Sequence, residues 1–425
     1  MATDLVKVAK DKGIKYFLIS YVDLFGVLRA KLSPAQAIQQ MMDDGAGFAG
    51  FATWLDMTPA HADLFAKPDP ESLIVLPWKP EVGWLAADLW MDGKIVEQAP
   101  RTVLHRQNEK AAKLGYRMKT GVECEYFLLT PDGSAIGDPR DTASKPCYDQ
   151  SALMRRYDVI KEICDAMLAL GWKPYQNDHW EYDDALLTAD RHVFFKYMVK
   201  ALAEKHGLRA TFMPKPFSNL TGNGCHAHVS VWDKAGKKNL FHDPKGELGL
   251  SALAYQFLGG IMHSAADLAA IFNPTVNSYK RINAPRTLSG ATWSPNAISY
   301  GGNNRTHMVR IPDKGRFELR LMDGAANPYL LQAGVLAAGL DGVANARDPG
   351  KRLDINMYEQ GHTVKNLKRL PLNLLDALRA FEKNKVLRDG LGAEFCDAYL
   401  KLKHQEWNAY CASISAWERD NTLDC

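Results

Sequence analysis

Three short runs of this sequence place two chemically capable side chains two residues apart: Glu123/Glu125 in GVECEYFLL, His226/His228 in CHAHVSVW, and Glu318/Arg320 in RFELRL. Side chains alternate along an extended strand, so the members of each pair share one face. Their neighbours Val122, Phe127, Leu128, Val229, Phe317 and Leu319 are apolar, which predicts that the opposite face packs on a core. Three glutamates and a histidine form an oxygen-rich donor set with one imidazole, better suited to Mg²⁺ or Mn²⁺ than to zinc. Any single pair is also what the wet face of a half-buried antiparallel strand looks like. Three pairs whose ligand types converge on one ion class point to a metal site.

A second cluster is cationic. Arg281, Arg305, Arg310, Arg316 and Arg320 fall within one stretch of chain. Forked guanidinium donors match phosphates and carboxylates in bidentate geometry. Charge patterning alone leaves a solvated basic surface equally open. The run TGNGCH is too generic to indicate phosphate binding by itself.

The elements that must position these groups are legible in outline. A short amphipathic helix around Leu5, Val8 and Ala9 leads into KYFLISYVD, whose aromatic and β-branched content suits a strand. Asp23 to Gly26 turns the chain into a second strand, VLRAKL, and WLAADLW reads as another. The first ~100 residues form a small α+β unit, with a boundary at Gln98 to Arg101. Beyond it, helices are predicted over Arg101–Leu114, Ser151–Leu170, Ala189–His206 with Thr188 as N-cap, Leu250–Ile271 and Pro328–Ala344. Between them lie strand-like runs: MKTGVECEYFLL, LRATFMPKP, CHAHVSVW, MVRIP and RFELRL.

Composition narrows the function classes. The 425 residues are 46% hydrophobic and 24% charged, with a formal charge of +3, an ordinary globular balance with room for two or three cores. No basic tract interleaved with aromatics argues for nucleic acid. No stretch approaches the ~20 apolar residues that span a bilayer, and the N-terminus lacks the pattern of a signal peptide. Seven cysteines with no C-x-x-C suggest reduced thiols in the cytoplasm.

KPFSNLTGNGCHAHVS, Lys215 to Ser230, resembles the ATP-region signature of the glutamine synthetase family. The resemblance runs on through GVECEYFLL, NPTVNSYKR, NNRTHMVRIP and FELRLMDGAANPYL in the family's order. It implies an α+β fold: a small β-grasp-like N-terminal domain over residues 1–100, and a larger catalytic domain over 101–425 with a curved antiparallel sheet flanked by helices. It implies ATP and Mg²⁺ or Mn²⁺, with Glu123, Glu125, His226 and Glu318 similar to the metal ligands. His228, Arg310 and Arg316 resemble phosphate contacts, and Ser230 and Tyr182 neighbours of the adenosine. Arg305 resembles the phosphoryl-transfer clamp, while Arg281, Arg320 and the backbone at Gly222 sit where the family holds glutamate. The implied reaction phosphorylates the γ-carboxylate of glutamate and then lets an amine attack. The family assembles as two stacked hexameric rings, each N-terminal domain completing a neighbour's site. Tyr358 lies where some members are adenylylated, but NMYEQ is a weak match and reads as a surface tyrosine.

Two departures bear on function. Members that use ammonia carry an aspartate where GFAGFATW has Ala49, and a glutamate in a flap that here, RINAPRTLSGATWSPNAISYGGNNR, has no acid. Ammonium is strongly hydrated and its capture calls for anionic partners. An alkylammonium favours aromatic walls, which Phe48, Phe51, Trp54 or Trp293 can supply. The chain is most similar to the subgroup called type III glutamine synthetase or γ-glutamylmethylamide synthetase, and methylamine is the expected acceptor, with ammonia the alternative. The second departure follows QNDH, where this subgroup has about ten further residues including two glutamate ligands. Here His179 passes directly to Trp180. Retention of the other metal-facing residues favours omitted residues over a true deletion, which would leave a silent ring scaffold as a rival.

Overall fold

Asp23 makes the first hairpin. Its carboxylate accepts the backbone N–H groups of Phe25 and Val27, both at 3.0 Å, and Nε of Arg29 at 2.9 Å. Gly26, at φ +79°, takes the left-handed backbone such a tight turn requires. The strands Tyr16–Val22 and Leu28–Pro34 thereby pair antiparallel. The computed structural model describes residues 3–174, 183–284 and 294–425.

The first sheet has seven strands, all before Pro100. Tyr16–Val22 pairs in parallel with Val82–Met91, and the remaining pairs are antiparallel. The helix Leu5–Lys12 covers one side through Leu5 and Ala9, which pack with Ile14, Phe17, Ile38 and Leu85. Pro100, at the first helical position where its missing N–H costs nothing, then opens the helix Pro100–Lys113.

The second sheet has six strands, with Cys225–Asp233 between Tyr116–Cys124 and Phe317–Leu319. It is curved and nearly closed. One pair departs from the expected antiparallel pattern, since Tyr300–Gly301 runs parallel to Val309–Arg310. Beneath the sheet lie the helices Ala185–Lys205, Ala252–Phe272 and Pro328–Ala344. The last is apolar on most sides and buried along nearly its whole length, as a central core helix must be, and Ala252–Phe272 packs against it.

Three expected boundaries are corrected. The helix predicted over Ser151–Leu170 is two, Gln150–Arg155 and Tyr157–Ala169, broken at Arg156, whose φ of −115° is not helical. The helix expected to start after Thr188 begins at Ala185; Thr188 instead donates its hydroxyl to the carbonyls of Thr120 and Asp183, at 3.0 and 3.2 Å. The run MKTGVECEYFLL is divided at Cys124, leaving Glu125 just past the strand end. The junction of His179 with Trp180 lies outside the described residues, as do Tyr182 and Trp293. All seven cysteines are free thiols. Among the described residues no helix is long and apolar enough to cross a membrane.

Candidate active site

The register of the second sheet sets the site. His226 faces Glu123 across one strand pair, and His228 faces Glu318 across the other. Alternation places all four side chains on one face. Glu123 takes His228 Nε2 at 2.6 Å on one oxygen and His226 Nδ1 at 3.2 Å on the other. His226 Nδ1 is also 3.5 Å from Glu318. Glu318 accepts Nη1 of Arg310 at 2.7 Å and Nη1 of Arg320 at 2.5 Å.

Glu318 is fully buried. Burial alone would raise its pKa, but His226, Arg320 and His228 outweigh it and hold the carboxyl at about 2. Burial lowers the pKa of His228, against the pull of Glu123. Donor atoms of Glu123, His228 and Glu318 lie within 4.8 Å of one another, and His226 stands at the same carboxylates. Two carboxylates and two imidazoles on one face fit a divalent ion with mixed oxygen and nitrogen preference. His228, expected at the phosphates, therefore shares the carboxylate cluster as well.

Glu125 reaches the cluster by another route. Its Oε2 accepts the N–H of Gly224 at 2.5 Å. A Cβ built on Gly224 would stand 2.8 Å from His226 Nε2, 2.8 Å from Arg281 and 3.2 Å from Glu125 Oε2. Gly224 thus leaves the space around which these three groups stand, and His226 joins Glu123 to Glu318. Gly222 is tight as well: a Cβ there would collide with the carbonyl of Pro214 and stand 3.0 Å from the Arg281 side chain.

Arg281 and Arg320 are both buried. Asp323, which the sequence reading did not single out, is buried beside Arg281 and accepts Asn273 Nδ2 at 2.9 Å. Burial raises the pKa of Asp323 and lowers that of Arg281, each opposed by the other's charge. A carboxylate three residues after Arg320 in the same run was the available signal. Arg316 bonds to His228 and to Asp313. Arg310 also donates Nε to Asn303 at 2.8 Å. Arg305 is exposed and makes no hydrogen bond or ion pair among the described residues. Ser230 is buried, and its hydroxyl accepts Trp232 Nε1 at 2.9 Å.

In the first sheet Phe48 meets Tyr21 edge-on at 5.0 Å, while Trp54 stacks on Phe25 at 4.8 Å. Phe51 and Trp54 are exposed in the single chain. Ala49 precedes a short 3₁₀ turn over Gly50–Ala52. Tyr358 is not the surface residue expected: it is half-buried and its hydroxyl is buried.

The chain is similar to known proteins in sequence and in fold. Residues 97–422 match the glutamine synthetase catalytic domain. A glutamine synthetase of Rhizobium leguminosarum bv. phaseoli is 67% identical over 100% of both chains, in an alignment of 434 positions against the 425 residues here. The glutamate–methylamine ligase of Methyloversatilis universalis is 43% identical over 98% of this chain and 97% of its own. A solved complex of GmaS with ADP superposes with a TM-score of 0.96 at 62% identity, covering 100% of both chains. This chain belongs to the glutamine synthetase family of ATP-dependent ligases.

Proposed function

We propose that the protein joins the γ-carboxylate of L-glutamate to methylamine, giving N5-methylglutamine, ADP and phosphate. The observation that carries the ligase chemistry is the convergence of Glu123, His226, His228 and Glu318 with Arg310 and Arg320 on one sheet face. Residues 1–100 and 101–425 are read as two domains, the second holding the chemistry.

A carboxylate is a poor electrophile and must first become an acyl phosphate. Arg281 and Arg320 bind and orient the glutamate, and the backbone at Gly222 closes over it. His228, Arg310 and Arg316 hold the nucleotide phosphates, Ser230 and Tyr182 flank the adenosine, and Arg305 closes on the phosphoryl group in flight. Preorganised guanidinium donors stabilise the charge that spreads over the transferring oxygens. Glu123, Glu125, His226 and Glu318 are the residues that would hold Mg²⁺ or Mn²⁺. Such ions, when bound, neutralise phosphoryl charge. The γ-phosphoryl group passes from ATP to the γ-carboxylate oxygen. The amine nitrogen then attacks the acyl carbon, phosphate leaves with its bonding pair, and the nitrogen loses a proton.

Methylamine as acceptor is supported by Ala49, by the acid-free stretch between positions 281 and 305, and by the names of the ligase and GmaS relatives. A ring of two stacked hexamers in the cytoplasm is the assembly proposed with it. The second reading, ammonia as acceptor, is favoured by the name of the relative at 67% identity. Phosphate release from ATP and glutamate, measured against a panel of amines, decides. Methylamine should give the higher kcat/KM; equal or better efficiency with ammonia returns the protein to glutamine synthesis. Failure of every amine in the panel to elicit phosphate release would leave a silent scaffold.

A further inference from the structure

The strands that carry Glu123 and His226 also carry, on the opposite face, Cys124 and Cys225. The two cysteines are register partners. Glu125 N donates to Gly224 O at 3.0 Å, so the 125/224 pair is a hydrogen-bonded one. The 124/225 pair beside it is then non-hydrogen-bonded, where cross-strand side chains come closest. From below, the helix Ala185–Lys205 raises His192, whose Nε2 is 3.9 Å from Cys225 Sγ. One donor atom from each of the three residues lies within 4.8 Å of the others.

This cluster is sealed in the core. Cys225 and His192 are 0% and 1% exposed, and Cys124 is 8% exposed. Val122, Ala189, Val193 and Ala227 belong to the same hydrophobic cluster. The His192 imidazole has no hydrogen bond to an oxygen or nitrogen among the described residues: Nε2 meets only sulfur and Nδ1 has no partner. Core positions filled for packing alone are apolar, and buried polar groups normally find partners. Two thiols and an imidazole with nothing else to bond are a soft donor set.

We propose that Cys124, Cys225 and His192 bind one thiophilic metal ion of the Zn²⁺, Cd²⁺ or Cu⁺ class, separate from the oxygen-rich site on the opposite face. Thiolate and imidazole select such ions over Mg²⁺. Binding replaces the two thiol protons, which pass to solvent, so uptake is coupled to proton release. The ion would pin the two strands and the helix together at the residues adjoining Glu123 and His226, fixing the register on which the active-site face depends.

The test uses Cd²⁺ as probe on the full chain, reduced and under excess Mg²⁺, in a background where exposed Cys147, Cys411 and Cys425 are serine. Thiolate-to-cadmium charge-transfer absorption should rise to a single equivalence point and the melting temperature should increase. Cys225→Ala should lose the absorption, and His192→Gln, which keeps polarity and much of the volume, should weaken Cd²⁺ binding at least ~10-fold. Glu318→Gln, on the other face, should bind Cd²⁺ as the background does. No charge-transfer absorption at one equivalent in the folded background, or absorption undiminished in both Cys225→Ala and His192→Gln, overturns the proposal.

Discussion

Arg101 grips Asp190 with both arms of its guanidinium, Nε to Oδ1 at 3.2 Å and Nη2 to Oδ2 at 3.1 Å. The same side chain reaches Asp88 at 2.8 Å and Asp69 at 2.6 Å, both on the first sheet's side of the boundary. Tyr329 donates its hydroxyl to Asp190 at 2.7 Å. One buried cation thus joins the first sheet to two helices beneath the second. Removing one partner of such a network strands the others, which costs about 3–5 kcal/mol. Arg101→Ala should lower stability by about that much in chemical unfolding, far more than loss of the solvent-facing ion pair between Arg352 and Asp354, 2.8 Å apart.

The same hub should give the protein an acid-sensitive seam. Burial alone would raise the pKa of Asp88, but the hydrogen bond with His105 and the charge of Arg101 bring it below its ordinary value of 3.8. A carboxyl with a depressed folded pKa contributes stability above its unfolded value, and loses it as the pH falls through the folded one. The melting temperature should therefore drop below pH ~4, and Asp88→Asn should show a shallower drop over that range. Parallel pH–melting curves for the two proteins would contradict this.

Gly224 is required for space rather than for backbone freedom. A Cβ there would stand 2.8 Å from His226 Nε2 and from Arg281 Nη2, and both of those side chains are buried. Gly224→Ala should raise the KM for glutamate and lower kcat/KM by ~100-fold, since misplacement of about 1 Å costs that much. The helices and melting temperature should be little changed. Near-normal kinetics would show that the three groups yield to a methyl.

Glu318→Gln keeps the shape and a hydrogen-bond acceptor for Arg310 and Arg320 while removing the charge. ATP-dependent turnover should fall at least ~100-fold with circular dichroism unchanged, as expected for loss of a metal-holding carboxylate. Full activity in this variant would remove Glu318 from the ligand set.

Ala49→Asp tests the acceptor. A carboxylate there should improve capture of the ammonium cation and shift the ratio of kcat/KM values toward ammonia by ~10-fold or more. The comparison needs a pH series, because the two amines supply different fractions of free base. An unchanged ratio would separate position 49 from amine choice.

The sequence by itself determined the chemistry and the faces. Spacing of two put His226 with His228, because alternation along a strand is a local consequence of backbone geometry, while Glu125 fell just past the end of the strand that carries Glu123. Pro328 fixed one helix start for an equally local reason, and the helix expected from Arg101 begins one residue earlier, at Pro100. What the tertiary structure alone decided is which strands are neighbours. Glu123 lies 103 residues from His226 along the chain, and no local rule reports that their strands pair, or in which register. That pairing made His226 the joint between Glu123 and Glu318, and the tertiary fold set Asp323 beside Arg281. It also placed Cys124 against Cys225 and His192, a cluster invisible as C-x-x-C spacing because its members come from two strands and a helix. Helix ends were lost for the complementary reason: Thr188 looks like a cap by type, but instead of accepting a backbone N–H at a helix start its hydroxyl donates to the carbonyl of Thr120 on the strand above. Local preference proposes an element; packing against distant chain, worth more energy, decides where it stops.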